Sequence, residues 1–141
     1  VTANMVVEHL DNPDEQFREI SRILKPKGVF LFHTPNAYGY GVILSKFVPE
    51  WLKGKLIYLL EGRQEHDVFP THYKANTEAQ VKALAQANGF EVLQLDLIPT
   101  DAIFAMLPPL AALELLWIRL LMTQPFRSLR TNMIVALRKA A

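Results

Sequence analysis

Glu8 and His9 stand side by side where an apolar, β-prone stretch ends. A histidine at such an exit can act as a base, or can position a reacting group, when that group keeps its proton at neutral pH. The same pair can instead cap the loop and helix that follow. His33, Thr34 and Asn36 close a second apolar run. The carboxyl end of a parallel strand favours a substrate-side role, because open α/β sheets bind ligands there. Thr34-Pro35-Asn36 is also a chain-reversal signal in its own right. His66 and His72, with Tyr73, lie in a loop ahead of a helix, where they either reach a bound molecule or stay solvated. Glu8 and His9 alone are too few ligands for a specific metal site, so no metal is expected. The 141 residues include no cysteine, which excludes disulfides, thiolate catalysis and Cys-ligated zinc.

The elements that must position these residues follow from periodicity. Residues 1–10 read as a strand. Asn12 is a good N-cap, Pro13 suits the first helical position, and Asp14 and Glu15 favour the positive end of the helix dipole. Phe17, Ile20, Ile23 and Leu24 form one apolar stripe, with Arg18, Glu19 and Arg22 turned away. Lys25-Pro26-Lys27-Gly28 suits a type I turn. Residues 29–32 are apolar at every position, the pattern of a central strand covered on both faces. Strand, helix and strand in this order make a βαβ unit with a right-handed crossover. Val42, Ile43, Leu44, Phe47, Trp51, Leu52, Leu56, Ile57 and Leu60 could line one or two helices. Thr77 and Gln80 make a capping box, Val81, Leu84, Ala85 and Ala87 form a buried face, and Gly89 is the stop. Residues 90–98 alternate as a strand, and residues 133–137 form a last one. Residues 97–122 are very apolar, but Asp101, Glu114, Arg119 and Pro108-Pro109 interrupt them. They read as a helical insertion, not a membrane span. The alternation is that of an α/β fold.

Composition sets the outer limits. Half the residues are apolar and 21% are charged, which excludes disorder. The formal net charge of +1 offers no basic field for nucleic acid. The first residues, Val1-Thr2-Ala3-Asn4, carry no secretory pattern and read as the middle of a strand. The expectation is a piece of a longer, cytoplasmic protein.

Val7-Glu8-His9-Leu10, Asn12-Pro13, Glu19-Ile20-Ser21-Arg22, Leu24-Lys25-Pro26-Lys27-Gly28 and Thr34-Pro35-Asn36 resemble, in that order, a run found in class I S-adenosylmethionine-dependent methyltransferases. Lys27 replaces the first glycine of the family's usual pair. His72-Tyr73, Thr77 and Ala87-Asn88-Gly89-Phe90 resemble the next helix and strand. The resemblance covers residues 1–98 well and 131–139 weakly. It implies an α/β fold, the C-terminal half of a Rossmann-like seven-stranded methyltransferase sheet. This chain would supply strands 4-5-7-6, the last antiparallel, with apolar helical insertions at 37–66 and 97–130 of one partial domain, 1–141. Strands 1 to 3 would then be missing, together with the glycine-rich cofactor loop and the ribose-binding acid. Gly39-Tyr40-Gly41 lies in the wrong place to be that loop.

The resemblance implies S-adenosylmethionine as cofactor of the intact protein. It places Ala3, Asn4 and Met5 beside the cofactor's methionine part, mostly through backbone. His9 and His72 become candidate catalytic residues, and Glu8, His33, Asn36 and Tyr73 become acceptor-side candidates. Met5 stands where related quinone methyltransferases carry the first acid of a metal-site-like block, which argues against a metal here. The apolar inserts suit a pocket for a small, greasy acceptor, a buried dimer interface, or a membrane-surface patch. Lys46, Lys53, Lys55, Arg119, Arg127 and Arg130 either face anionic headgroups or form a solvated helix face. The open edge of strand 1–10 is a second candidate for homodimer contact. The chain alone is expected to be inactive. The rival reading is a degenerate, noncatalytic α/β domain used in self-association.

Overall fold

The computed structural model describes residues 1–47, 49, 70–99, 104 and 108–140. Strand β1 (Thr2–Asn4) is followed by a 3-10 turn (Val7–His9) and helix α1 (Pro13–Ile23). Strand β2 (Val29–Pro35) and helix α2 (Tyr40–Phe47) come next. Helix α3 (Glu78–Ala87) leads into β3 (Phe90–Ile98). Helix α4 (Pro108–Leu121), a 3-10 segment (Gln124–Leu129) and β4 (Asn132–Lys139) complete the order. The sheet order is β1-β2-β4-β3. β1 and β2 are parallel, and β4 runs antiparallel to both its neighbours. β1, β2 and β3 therefore share one direction. This is the 4-5-7-6 arrangement, with the last strand reversed, that the resemblance implies.

One face of the sheet holds the core. Phe17 of α1 meets Phe30, Phe32 and Phe90 edge-on at centroid distances of 5.6, 6.0 and 6.4 Å. Val81 and Ala85 of α3 join them, with Met133, Val135 and Leu137 of β4. Edge-to-face contacts suit the ring quadrupoles and add to the area buried. The two-residue period of β2 sends Phe30, Phe32 and Thr34 to this face. Val29 and Leu31 point the other way, as does Ile134 of β4, and all three are exposed. Among the described residues the apolar run 29–32 is thus covered on one face, where both were expected.

Other expectations change for local reasons. β1 stops at Asn4, not near residue 10, because Met5 takes φ +52° and turns the chain into the 3-10 segment. Ile23 drops out of the α1 stripe and is exposed, while Ile20 and Leu24 on either side of it pack against the core. Asn12 sits at the N-cap position, but its amide donates to Glu15 Oε2 at 3.1 Å and caps no backbone. At Lys25–Gly28 the Gly28 N–H bonds to Lys25 C=O at 2.8 Å, and Lys27 has φ +61°. A positive φ at the third turn position makes this type II, a place that favours glycine. The capping box forms as expected: Gln80 N–H donates to Thr77 Oγ1 at 3.2 Å, and Asn76 N–H to Gln80 Oε1 at 3.1 Å. Val81 and Ala85 are buried, but Ala87 is exposed. Gly89 ends the helix with φ +71°. A bulge between Val92 and Gln94 shifts the phase of β3, which is why Phe90 and Val92 share a side with Leu95 and Leu97.

The chain's inserts follow the carboxyl ends of β2 and β3. Tyr40 of α2 donates to Glu114 Oε1 of α4 at 2.7 Å, and the Phe104 N–H donates to Oε2 at 2.8 Å. Arg130 ties the end of α4 to β3 by donating to the carbonyls of Leu121, Met122 and Leu97 at 2.8–3.0 Å. Arg127 pairs with Glu78 at 2.8 Å. These two arginines are internal clasps, so neither belongs to a headgroup-facing or solvated cationic face. Among the described residues no helix is long and apolar enough to cross a membrane. The expected helical residues Trp51, Leu52, Leu56, Ile57 and Leu60, and also Lys53, Lys55, His66 and Asp101, lie outside the described residues.

Candidate functional site

Parallel pairing brings the ends of β1 and β2 together, with Asn4 opposite His33. Met5 N–H donates to His33 C=O at 2.9 Å, and Val1 C=O accepts from Leu31 N–H at 3.0 Å. By the alternation of a strand, Ala3 also faces β2, while Thr2 and Asn4 turn their peptide groups to the outer edge. Ala3 packs against the core. Among the described residues β1 pairs with β2 and no other strand. Met5 and Val6 leave exposed apolar side chains beside that edge.

The turn at Met5 folds Glu8 back under the sheet end. Its carboxylate is buried and accepts from Thr34 Oγ1 at 2.9 Å. Asn76 is wholly buried and donates to Thr34 Oγ1 and to Pro35 C=O, each at 2.8 Å. The direction of this chain is fixed. An amide NH2 only donates and a carboxylate only accepts, so the Thr34 hydroxyl must pass its proton side to Glu8. Glu8 C=O in turn accepts from His72 N–H at 2.8 Å and Tyr73 N–H at 3.3 Å. The loop at 72–73 is thereby laid across the exit of β1, with Tyr73 held at φ +51°. Backbone outliers of this kind, here at Met5 and Tyr73, concentrate at functional sites.

His9 is half-buried, and its Nδ1 lies 2.8 Å from Pro70 C=O. A carbonyl only accepts, so Nδ1 carries a proton. Nε2 lies 3.8 Å from Glu8 Oε1. His33 Nδ1 lies 2.8 Å from Asn4 Oδ1, so this nitrogen too is a donor. His33 Nε2 is buried without a hydrogen-bond partner among the described residues. His72 Nδ1 is 3.9 Å from Asp11 Oδ1. Lys74, bonded to that carboxylate at 2.6 Å, holds the Asp11 carboxyl below its ordinary range.

Asn36 has a different place. It is buried, its amide donates to the carbonyls of Ser128 and Arg130 at 2.8 and 2.7 Å, and its oxygen accepts from Tyr38 N–H. It joins the two inserts instead of facing the cleft. The structure brings together Asn4, Met5, Glu8, His9, His33, His72 and Tyr73 at one end of the sheet. Trp117 packs edge-on against Phe126 at 6.2 Å. Sequence reasoning missed Asn76. Its position just before the Thr77 cap is local information, whereas its partners lie 41 and 42 residues away. No group of three or more metal-ligating side chains occurs among the described residues.

Comparison with known proteins agrees with this geometry. A family model described as a methyltransferase domain matches residues 1–95. The fold is similar to an S-adenosylmethionine-dependent methyltransferase from Mesorhizobium loti, with TM-score 0.54 and 17% identity, over 98% of this chain and 60% of that one. It is also similar to the phosphoethanolamine N-methyltransferase 2 of Haemonchus contortus, solved with S-adenosyl-L-methionine. There the TM-score is 0.51 and the identity 16%, over 100% of this chain and 33% of that one. The chain thus spans less than two thirds of either protein, and at these identities the likeness is one of fold. A comparison with the curated proteins gives no match. The βαβ start, the reversed last strand and the match over residues 1–95 have one explanation: the chain belongs to the methyltransferase domain family.

Proposed function

We propose that the intact protein transfers the methyl group of S-adenosylmethionine to a small acceptor of apolar character, and that this chain forms one wall of the cleft. One observation carries the reading. The carboxyl ends of β1 and β2 meet at the edge of the described sheet, where Asn4, Met5, Glu8, His9, His33, His72 and Tyr73 converge. The residues fit one side of that cofactor. The exposed Met5 and Val6, just past the end of β1, suit its apolar part.

When bound, the cofactor supplies a sulfonium methyl group for in-line transfer. The chain's residues contribute alignment, which can lower a barrier by roughly 7–11 kcal/mol. Asn4 and Met5 would hold the cofactor side through backbone. Glu8, clamped by Thr34, sets the floor and carries the 72–73 loop. His9, held through Nδ1 by Pro70 C=O and set beside Glu8, is the residue placed to act on an acceptor that must lose a proton. His72, Tyr73 and His33 line the acceptor side.

Two measurements test this. Calorimetry of the chain alone should show no submicromolar binding of S-adenosylmethionine, since one wall is present; tight binding would contradict the division of the cleft. In the intact protein, His9→Ala should slow methyl transfer by about a hundredfold or more if the acceptor needs a base. Full activity in that variant would remove His9 from the chemistry.

A further inference from the structure

Helix α4 is apolar around most of its circumference, with Glu114 and Arg119 its only charged residues. Leu113, Leu115 and Leu116 are 64%, 62% and 65% exposed, and Met122 just beyond is 65% exposed. Leu110 and Leu120 are exposed too. The helix buries only the strip that carries Glu114 and Leu121. A helix apolar on every side normally has every side covered, and exposed patches of this kind mark interaction surfaces. α2 adds exposed Leu44 and Phe47 at the same end of the molecule.

Charge identifies the occupant. The two helices carry three ionisable side chains other than tyrosine: Lys46, Glu114 and Arg119. Glu114 is buried and bonded to Tyr40 and to the Phe104 N–H. On these two helices the charge shown to the outside is therefore cationic only. A second copy in a two-fold contact would set the same patch against itself, cation facing cation. An anionic lipid surface complements it instead. Leucines enter the boundary between headgroups and acyl chains while Lys46 and Arg119 meet phosphates.

We propose that the α2–α4 end docks peripherally on an anionic phospholipid surface. Leu113, Leu116 and Leu120 share one face of α4, and Arg119 lies beside them. α4 then lies flat on the bilayer. This goes beyond the methyl-transfer reading and does not depend on it.

Cosedimentation of the chain with vesicles tests it. The chain should pellet with mixed phosphatidylcholine–phosphatidylglycerol vesicles and much less with pure phosphatidylcholine. The double variant Leu113→Ser, Leu116→Ser should weaken partition by roughly a hundredfold. Arg119→Gln should weaken it about fivefold, with a smaller salt dependence. All three positions are exposed, so circular dichroism should be unchanged. Failure to pellet, or equal binding to both vesicle types, would overturn the proposal. So would a dimer in light scattering that the double leucine variant dissociates, because that result assigns the face to a second copy.

Discussion

Helix α1 buries Phe17 completely and turns Arg18, Glu19 and Arg22 to solvent, whereas α4 buries Glu114 and turns most of its leucines outward. Both helices follow strands of one sheet. α1 crosses back over the sheet face, where a 3.6-residue stripe meets Phe30, Phe32 and Phe90. α4 stays at the carboxyl end of the strands, held by one buried carboxylate and by Arg130 at its last turn. The first arrangement is a core. The second is a surface element whose apolar residues exceed what the chain itself covers. The difference separates the part of the molecule that maintains the fold from the part that the proposal assigns to a lipid surface.

Substitutions can sharpen this contrast. Phe17→Ala should destabilise the chain most, by about 3–5 kcal/mol in urea denaturation, because it opens a cavity between α1 and the sheet. Leu113→Ala in α4 should stay within about 0.5 kcal/mol. Comparable losses at both sites would break the comparison. Glu114→Ala removes the acceptor of the Tyr40 hydroxyl and of the Phe104 N–H and should cost about 1–3 kcal/mol. Hydrogen exchange should quicken in α4 while β2 and β4 stay protected. Lys27→Gly should stabilise by up to about 1 kcal/mol, since the residue already sits at φ +61° at the turn that joins α1 to β2. An unchanged midpoint would show that the turn bears no strain.

The smallest effect is acid sensitivity on the core side. Asn88, then Arg18, bond Asp14 and hold its carboxyl below the ordinary 3.8. Lys74 does the same for Asp11. A carboxyl lowered by folding contributes stability above 3.8 and loses it as the pH falls through the folded value. Midpoints of denaturation should therefore drop on acidification below 3.8, and Asp14→Asn should reduce the slope. A slope unchanged in that variant would detach α1 from the Asn88 contact of α3.

Much of the fold was legible because its signals are local. Pro13 and the Phe17 stripe mark α1, the Thr77–Gln80 box marks α3, and Gly89 marks its end. The misreadings have a common cause. Whether residues 29–32 are covered on one face or two depends on neighbours far along the chain. So does the burial of Ile23 or Ala87. At the site, Glu8, His9, His33, His72 and Tyr73 were visible as residue types at strand ends. Their grouping was not, because it rests on Glu8–Thr34, Asn76–Thr34 and Glu8–His72 bonds across 26 to 64 residues. Asn36 looked equally suited to the cleft, yet carbonyls at 128 and 130 claim its amide.

By itself the sequence determined the alternation of strands and helices, the start and stop of α1 and α3, and the absence of thiol chemistry. These depend on side-chain period, capping groups and composition, all read within a few residues. Only the tertiary structure decided that β1 ends at Met5, that β4 inserts between β2 and β3, and that Glu8 lies buried beneath His9. Those outcomes follow from hydrogen bonds and packing between distant segments, whose partners no local pattern specifies.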